Sequence, residues 1–200
     1  MTSSHESRRV ALESGATTTV ECWGDAGPAV LCVHGIAASR RDFARLGDAL
    51  AGTHRVFAYD QRGHGDAEPR EPMTLDALAG DLRAVADSIG TVAAVVGHAW
   101  GGAVALTGGP KVARALVLID PVIRAAPGTS QGGWDLRDRL ASLKIPTTIL
   151  LAGRESAVAA DDLARVSPAV RVETFAGHGH ALHRSAFKRF AELVRDAVPA

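Results

Sequence analysis

From residue 29 onward, short apolar runs alternate with amphipathic stretches, and this alternation narrows the available folds more than any other feature of the chain. The apolar runs at 29–33, 55–59, 92–96, 115–119, 147–151 and 170–175 are the length of strands. Strands this uniformly apolar are expected where a parallel sheet is covered by helices on both faces. Between them, Leu75, Leu78, Ala79, Leu82, Val85, Ala86 and Ile89 recur at spacings of three and four, which predicts a helix over 75–89 with Thr74 as its N-cap. Further helices are expected over 42–50, 100–106, 135–143, 159–166 and 185–198. Ahead of this region, 9–13 and 17–23 alternate with period two around Ser14-Gly15-Ala16, the signature of a hairpin at a sheet edge. The expectation is an α/β protein with an eight-stranded, mostly parallel sheet in one domain over 1–200. Pro127, Gly128, Gly132 and Gly133 mark 125–133 as a loop.

Charge and apolar run length exclude several kinds of partner. Lys+Arg and Asp+Glu both number 22, so the chain lacks the basic excess that neutralising a nucleic-acid backbone requires. No apolar run approaches the ~20 residues of a membrane span, and the polar start, Met1 to Arg9, has no apolar core of the secretory kind. We therefore expect a cytoplasmic protein with a small-molecule substrate and neither nucleic acid nor membrane as partner. Cys22 and Cys32 fall in apolar strands and are expected to be free thiols. The chain carries neither a G-x-G-x-x-G turn after its first apolar strand nor a G-x-x-x-x-G-K-[ST] loop, so no cofactor is expected.

Chemistry concentrates at the ends of these strands. In Val95-Val96-Gly97-His98-Ala99-Trp100-Gly101-Gly102 a strand runs through a glycine-flanked turn directly into a helix. With serine at 99 this would be a G-x-S-x-G nucleophile elbow, in which small residues flank a strained turn that projects the central side chain above the sheet. Three other stretches accompany it: His34-Gly35-Ile36, Asp60-Gln61-Arg62-Gly63-His64-Gly65, and Gly179-His180-Ala181-Leu182-His183, each following a strand. Together and in this order they resemble the α/β-hydrolase family from about residue 10 to the C-terminus, with alanine where the family has its nucleophile.

The resemblance implies roles for particular residues. Position 99 is the nucleophile position, the backbone N–H groups of Ile36 and Trp100 form the oxyanion hole, and His180 is the catalytic histidine, with His178 as fallback and His183 as a surface or helix-start residue. The family's usual acid position holds serine in Gly153-Arg154-Glu155-Ser156. Asp120, in Ile119-Asp120-Pro121, fits the alternative placement after the preceding strand, and Glu155 is second choice. The order Ala99, Asp120, His180 keeps the nucleophile–acid–histidine order of the fold. An HxHxxH run also suggests metal ligation, but without a recognisably spaced Cys or carboxylate no metal is expected. About fifteen residues separate Asp120 from Asp135, too few for a helical lid. An open cleft is thus expected beside His34 and His98, rimmed by Ile36, Trp100, Ile123, Trp134 and the 125–133 loop, and accepting a bulky substrate.

Three functions fit these residues. One is a hydrolase of esters, thioesters or lactones in a serine-to-alanine inactivated form. The second is a serine-independent enzyme using a His180–Asp120 base for proton transfer, cyclisation, elimination or hydration. The third is a non-catalytic, hydrolase-like binding protein, for which nothing requires the histidine and the acid.

Overall fold

The computed structural model describes residues 5–128 and 133–199. Eight strands form one sheet: β1 (His5–Ala11), β2 (Thr17–Trp23), β3 (Ala29–Val33), β4 (Arg55–Tyr59), β5 (Val92–His98), β6 (Ala113–Ile119), β9 (Thr147–Ala152) and β10 (Val170–Phe175), with β7 (Arg124–Ala125) and β8 (Trp134–Asp135) making a separate ladder. The spatial order is β1-β2-β4-β3-β5-β6-β9-β10. β1 and β2 are antiparallel, β2 joins β4 antiparallel, and the remaining pairs are parallel. β1 is the expected edge hairpin strand, displaced toward the N-terminus. Its exposed Glu6, Arg8 and Arg9 place charges along an edge that would otherwise pair with other chains.

Alternation along the inner strands divides the core into two layers. Leu31, Val33, Tyr59, Val95, Leu116, Leu118 and Ile149 face α2 (Leu75–Ile89), α3 (Trp100–Gly108) and α4 (Arg137–Ser142). Val30, Cys32, Ala58, Val96, Val117, Ile119 and Leu150 face α1 (Ala44–Leu50) and α6 (Phe187–Ala197). Both cysteines are free. The Thr74 hydroxyl accepts from Ala77 N–H at 3.3 Å, and α2 ends at Gly90, whose φ of 86° suits glycine.

Four expected helices are shorter than the sequence pattern suggests. Residues 159–166 hold only a 3₁₀ turn, Ala160–Leu163, in which Asp162 is buried and accepts from Ala159 N–H at 2.9 Å while Leu163 and Val166 are only half-buried against the core. Asp135 belongs to β8, and its carboxylate accepts from Arg137 N–H at 3.1 Å, so α4 starts at Arg137. A 3₁₀ turn, Arg40–Phe43, precedes α1, and the last helical stretch is broken at Ala186 between α5 (Leu182–Ser185) and α6. Between β6 and α4 the described residues hold only the β7–β8 ladder; of the expected loop, 129–132 lie outside the described residues.

The Asp60-to-Gly65 turn is structural. Asp60 is fully buried, pairs with the Arg40 guanidinium, and accepts from Arg40 N–H at 2.8 Å and Asp66 N–H at 2.9 Å. A Cβ on Gly65 would fall 2.2 Å from that carboxylate. Arg62, equally hidden, makes two parallel bonds to Asp81 at 2.6 and 2.7 Å and a third to the Pro72 carbonyl at 2.8 Å. These contacts pin the chain after β4 beneath the end of the sheet.

Candidate active site

The turn from β5 into α3 holds Ala99 at φ 52°, ψ −113°, a backbone geometry that L-residues occupy only under constraint. The constraint is close packing of main chain on main chain. A Cβ on Gly97 would lie 2.4 Å from the Gly101 carbonyl, and one on Gly101 would lie 2.3 Å from the Val33 carbonyl. Only glycine at both positions lets α3 approach β3 and β5 this closely. Ala99 N–H donates to Ile119 O at 2.9 Å, and its carbonyl accepts from Val122 N–H at 3.0 Å. The elbow is thereby fastened to β6 and the segment leaving it.

Trp100 is the first residue of α3, so its N–H lacks an intrahelical partner. Ile36 follows the His34-Gly35 turn and is 53% exposed. His34 holds that turn in place: its Nε2 accepts from Gln61 N–H at 3.0 Å, which leaves the proton on Nδ1 to donate to Gly35 O at 2.7 Å. Burial pushes the His34 imidazole below its ordinary value, consistent with this neutral form.

His180, on the loop after β10, donates Nδ1–H to Asp120 Oδ2 at 2.5 Å. In the neutral imidazole this bond leaves Nε2 as the basic nitrogen. Asp120 sits just past β6 at φ 41° and is wholly buried, while the His180 side chain is 42% exposed. The carboxylate also accepts from Ser156 Oγ–H at 2.5 Å, Ala157 N–H at 2.9 Å and Ala152 N–H at 3.1 Å. Burial alone would raise this carboxyl, but the bonds from His180, Ala157, Ser156 and Ala152 outweigh it and hold the group below its ordinary value. Asp120 is thus an anion built to face one imidazole.

Other expected residues fall differently. Glu155 is exposed, and it is its neighbour Ser156 that joins the site, as a donor to Asp120. Ile123 and His34 are fully buried and His98 nearly so; none of the three forms a cleft wall. Ile123 is drawn into the core because its carbonyl accepts from Leu136 N–H at 3.0 Å, which tucks it under α4. Trp134 is half-buried and meets the buried Trp100 edge-on at 5.2 Å. His178 turns away to Ser185 Oγ at 2.9 Å. His183, expected as a helix-start or surface residue, is the second residue of α5 but is buried, its Nε2 3.2 Å from the Asp42 carboxylate. Asp42, His98 and His183 bring one ligand atom each within 4.8 Å of one another, a donor set that shares only His183 with the HxHxxH run. The Asp42 carboxylate there is already engaged by Arg184, at 2.6 Å from Nε.

Comparison with known proteins places this geometry in context. Lipase LipV of Mycobacterium tuberculosis is 38% identical over 109 residues, 52% of this chain and 41% of the lipase. An sn-1-specific diacylglycerol lipase of Mus musculus is 32% identical over 114 residues, or 54% of this chain and 37% of that protein. The chain therefore matches about two-fifths of the length of these curated relatives. Among solved structures, an esterase from Rhodococcus sp. superposes with a TM-score of 0.85 at 18% identity, covering 95% of this chain and 97% of its own. The enol-lactonase of Burkholderia xenovorans LB400 also reaches 0.85, at 16% identity, with 94% and 98% covered. At such identities the likeness is one of fold. The sequence pattern of the Alpha/beta hydrolase family matches residues 30–145, more than half of the chain and the whole stretch from β3 through the elbow to α4, and the chain belongs to that family.

Proposed function

We propose that this single domain is the scaffold of an acyl hydrolase for esters, thioesters or lactones, with its nucleophile position, 99, filled by alanine. The observation that carries the reading is the His180–Asp120 bond: a buried carboxylate with four donors, one of them the imidazole Nδ1–H. That is the arrangement needed to keep Nε2 basic and to stabilise the imidazolium once it forms. In Ala99→Ser, the new hydroxyl would give its proton to His180 Nε2 as its oxygen attacks the acyl carbon. The N–H groups of Trp100 and Ile36 would hold the resulting oxyanion, and His180 would return the proton to the leaving group. Water, activated by the same imidazole, would then release the acid. Removing one oxyanion donor costs about 3–4 kcal/mol in other enzymes, so both donors count heavily.

Trp134, which packs edge-on against Trp100, lines a surface hollow of about 690 Å³ with Arg124, Pro127 and Gly133. No helix among the described residues is long and apolar enough to cross a membrane, in keeping with a cytoplasmic enzyme.

A second reading is favoured by alanine at 99 itself. Without a nucleophilic oxygen the chain cannot form an acyl-enzyme, whereas His180 and the oxyanion donors suffice for a base-catalysed proton transfer, cyclisation, elimination or hydration. The deciding experiment is hydrolysis of activated esters by Ala99→Ser and by Ala99→Ser with His180→Ala. A large gain that the second substitution abolishes is expected. No gain, with His180-dependent turnover by the Ala99 protein, would favour the serine-independent enzyme; no turnover in either form would leave a binding protein.

A further inference from the structure

We propose that His98 is a positioning residue for His180: its ring donates Nε2–H to the His180 carbonyl and so fixes the main chain from which the base projects, while a second buried imidazole–carboxylate pair, His183–Asp42, braces His98 from beneath. The inference rests on the His180–Asp120 pair of the proposed site.

The rings of His183, His98 and His180 lie in succession, each tilted against the next. His98 lies 4.8 Å from the His180 ring and 4.3 Å from the His183 ring, centroid to centroid. Its Nε2 is 3.2 Å from the His180 carbonyl, an atom that can only accept, so Nε2 carries the proton and Nδ1 is bare. That Nδ1 has no partner among the described residues and lies against the Gly35 backbone, 3.0 Å from where a Cβ would stand. His183 is held by Asp42 at 3.2 Å, and Asp42 by Arg184, at 2.6 Å from Nε, at the surface. Phe43 and Phe190 flank the His183 ring, each 6.0 Å away.

The groups facing His98 are therefore His180 on the loop after β10, His183 on α5, Asp42 before α1, and the His34-Gly35 turn after β3. Burial, then the neighbouring His183 and His180 rings, push its imidazole down to about 3, so it is a neutral donor throughout the range in which a hydrolase works.

The arrangement answers a mechanical problem. His180 sits in Gly177-His178-Gly179-His180, and Gly177 takes a φ of 79°. The His178 carbonyl is tied by Gly153 N–H at 3.0 Å and Arg154 N–H at 3.1 Å, and the His180 carbonyl by His98. A glycine-rich loop with its base residue tied at one end alone would let the imidazole swing off Asp120. A donor at position 98, within the elbow and next to position 99, couples the histidine's main chain to the turn that presents the nucleophile position.

The test compares donor with shape. Solvent exchange of the His180 Nδ1–H is followed by nuclear magnetic resonance in the unsubstituted chain, His98→Gln, which keeps a donor near Nε2, and His98→Phe, which fills the space without one. Exchange is expected to quicken about tenfold in His98→Phe, the scale of one hydrogen bond, and to stay within about twofold of the unsubstituted chain in His98→Gln. Unchanged exchange in His98→Phe, or equal acceleration in both, would overturn the proposal. Should either variant fail to fold, nitrogen-15 imidazole spectra of the unsubstituted chain decide: a neutral His98 with its proton on Nε2 supports the proposal, and a proton on Nδ1 or titration near neutrality refutes it. Neither measurement needs turnover, so each stands apart from the hydrolase reading. In the Ala99→Ser background the same donor loss should lower kcat about tenfold with KM unchanged.

Discussion

Replacing Asp120 by asparagine keeps the shape of the site and reverses half of its polarity. The carboxylate accepts four hydrogen bonds, two at each oxygen: Ser156 Oγ–H and Ala152 N–H at Oδ1, His180 Nδ1–H and Ala157 N–H at Oδ2. An amide has one acceptor oxygen, so its NH₂ must face either the Ala152 or the Ala157 N–H, and neither main-chain group can rotate away. One buried backbone donor is then orphaned at about 1–3 kcal/mol, and loss of charge assistance weakens the remaining bonds, for a total of about 2–4 kcal/mol. For a chain of this size that lowers Tm by about 5–15 °C in calorimetry. Facing an NH₂, His180 would also present Nδ1 as acceptor and Nε2 protonated, the wrong tautomer for a base. In the Ala99→Ser background kcat should therefore fall by about 10³–10⁴, the scale of the same change in a serine protease. Glu155→Gln, by contrast, should alter neither quantity. An Asp120→Asn protein with unchanged Tm and unchanged esterase activity, or a Glu155→Gln protein that loses activity, would rule out this role for the Asp120 carboxylate.

Other substitutions test the scaffold around the site. Gly101→Ala drives a Cβ into the Val33 and His34 carbonyls, at 2.3 and 2.4 Å, and should cost at least about 3 kcal/mol in denaturant unfolding because both obstacles are main chain. Asp81→Ala strands the buried Arg62 guanidinium and should cost about 3–5 kcal/mol, whereas Glu68→Ala, which breaks the exposed pair with Arg9, should cost under about 1 kcal/mol in the same assay. Burial opposes ionisation of Asp42, but the His183 and Arg184 contacts prevail and hold its carboxyl down to about 2, so it contributes about 2 kcal/mol that is present above pH 4 and lost as the pH falls toward 2. Acid unfolding followed by circular dichroism should accordingly be shallower over that range in Asp42→Asn than in the unsubstituted chain.

The sheet, its edge hairpin and the elbow were legible because they depend on local signals: apolar runs, period-two alternation and paired glycines. The pairing of Asp120 with His180 was legible because Asp120 closes a strand at the same sheet edge as Ala99. His183 could not, since its burial depends on Asp42, 141 residues away, and a histidine in a polar turn gives no sign of a distant carboxylate. Ile123 misled for a related reason: an aliphatic residue after Asp-Pro reads equally as cleft rim or core, and the Leu136 N–H to Ile123 carbonyl bond decides for the core. Ser156 was visible only as the absence of an acid. Its hydroxyl donates to Asp120, just past β6.

In the proposed hydrolase, position 99 lacks only an oxygen. A rapid-mixing experiment tests this, in which Ala99→Ser meets an excess of p-nitrophenyl ester and samples are quenched at intervals for intact and peptide mass. A burst of nitrophenol equal to one equivalent of protein is expected, with a transient acyl mass on the peptide containing position 99, both abolished by His180→Ala. Slow release without burst or adduct, unaffected by His180→Ala, would contradict it.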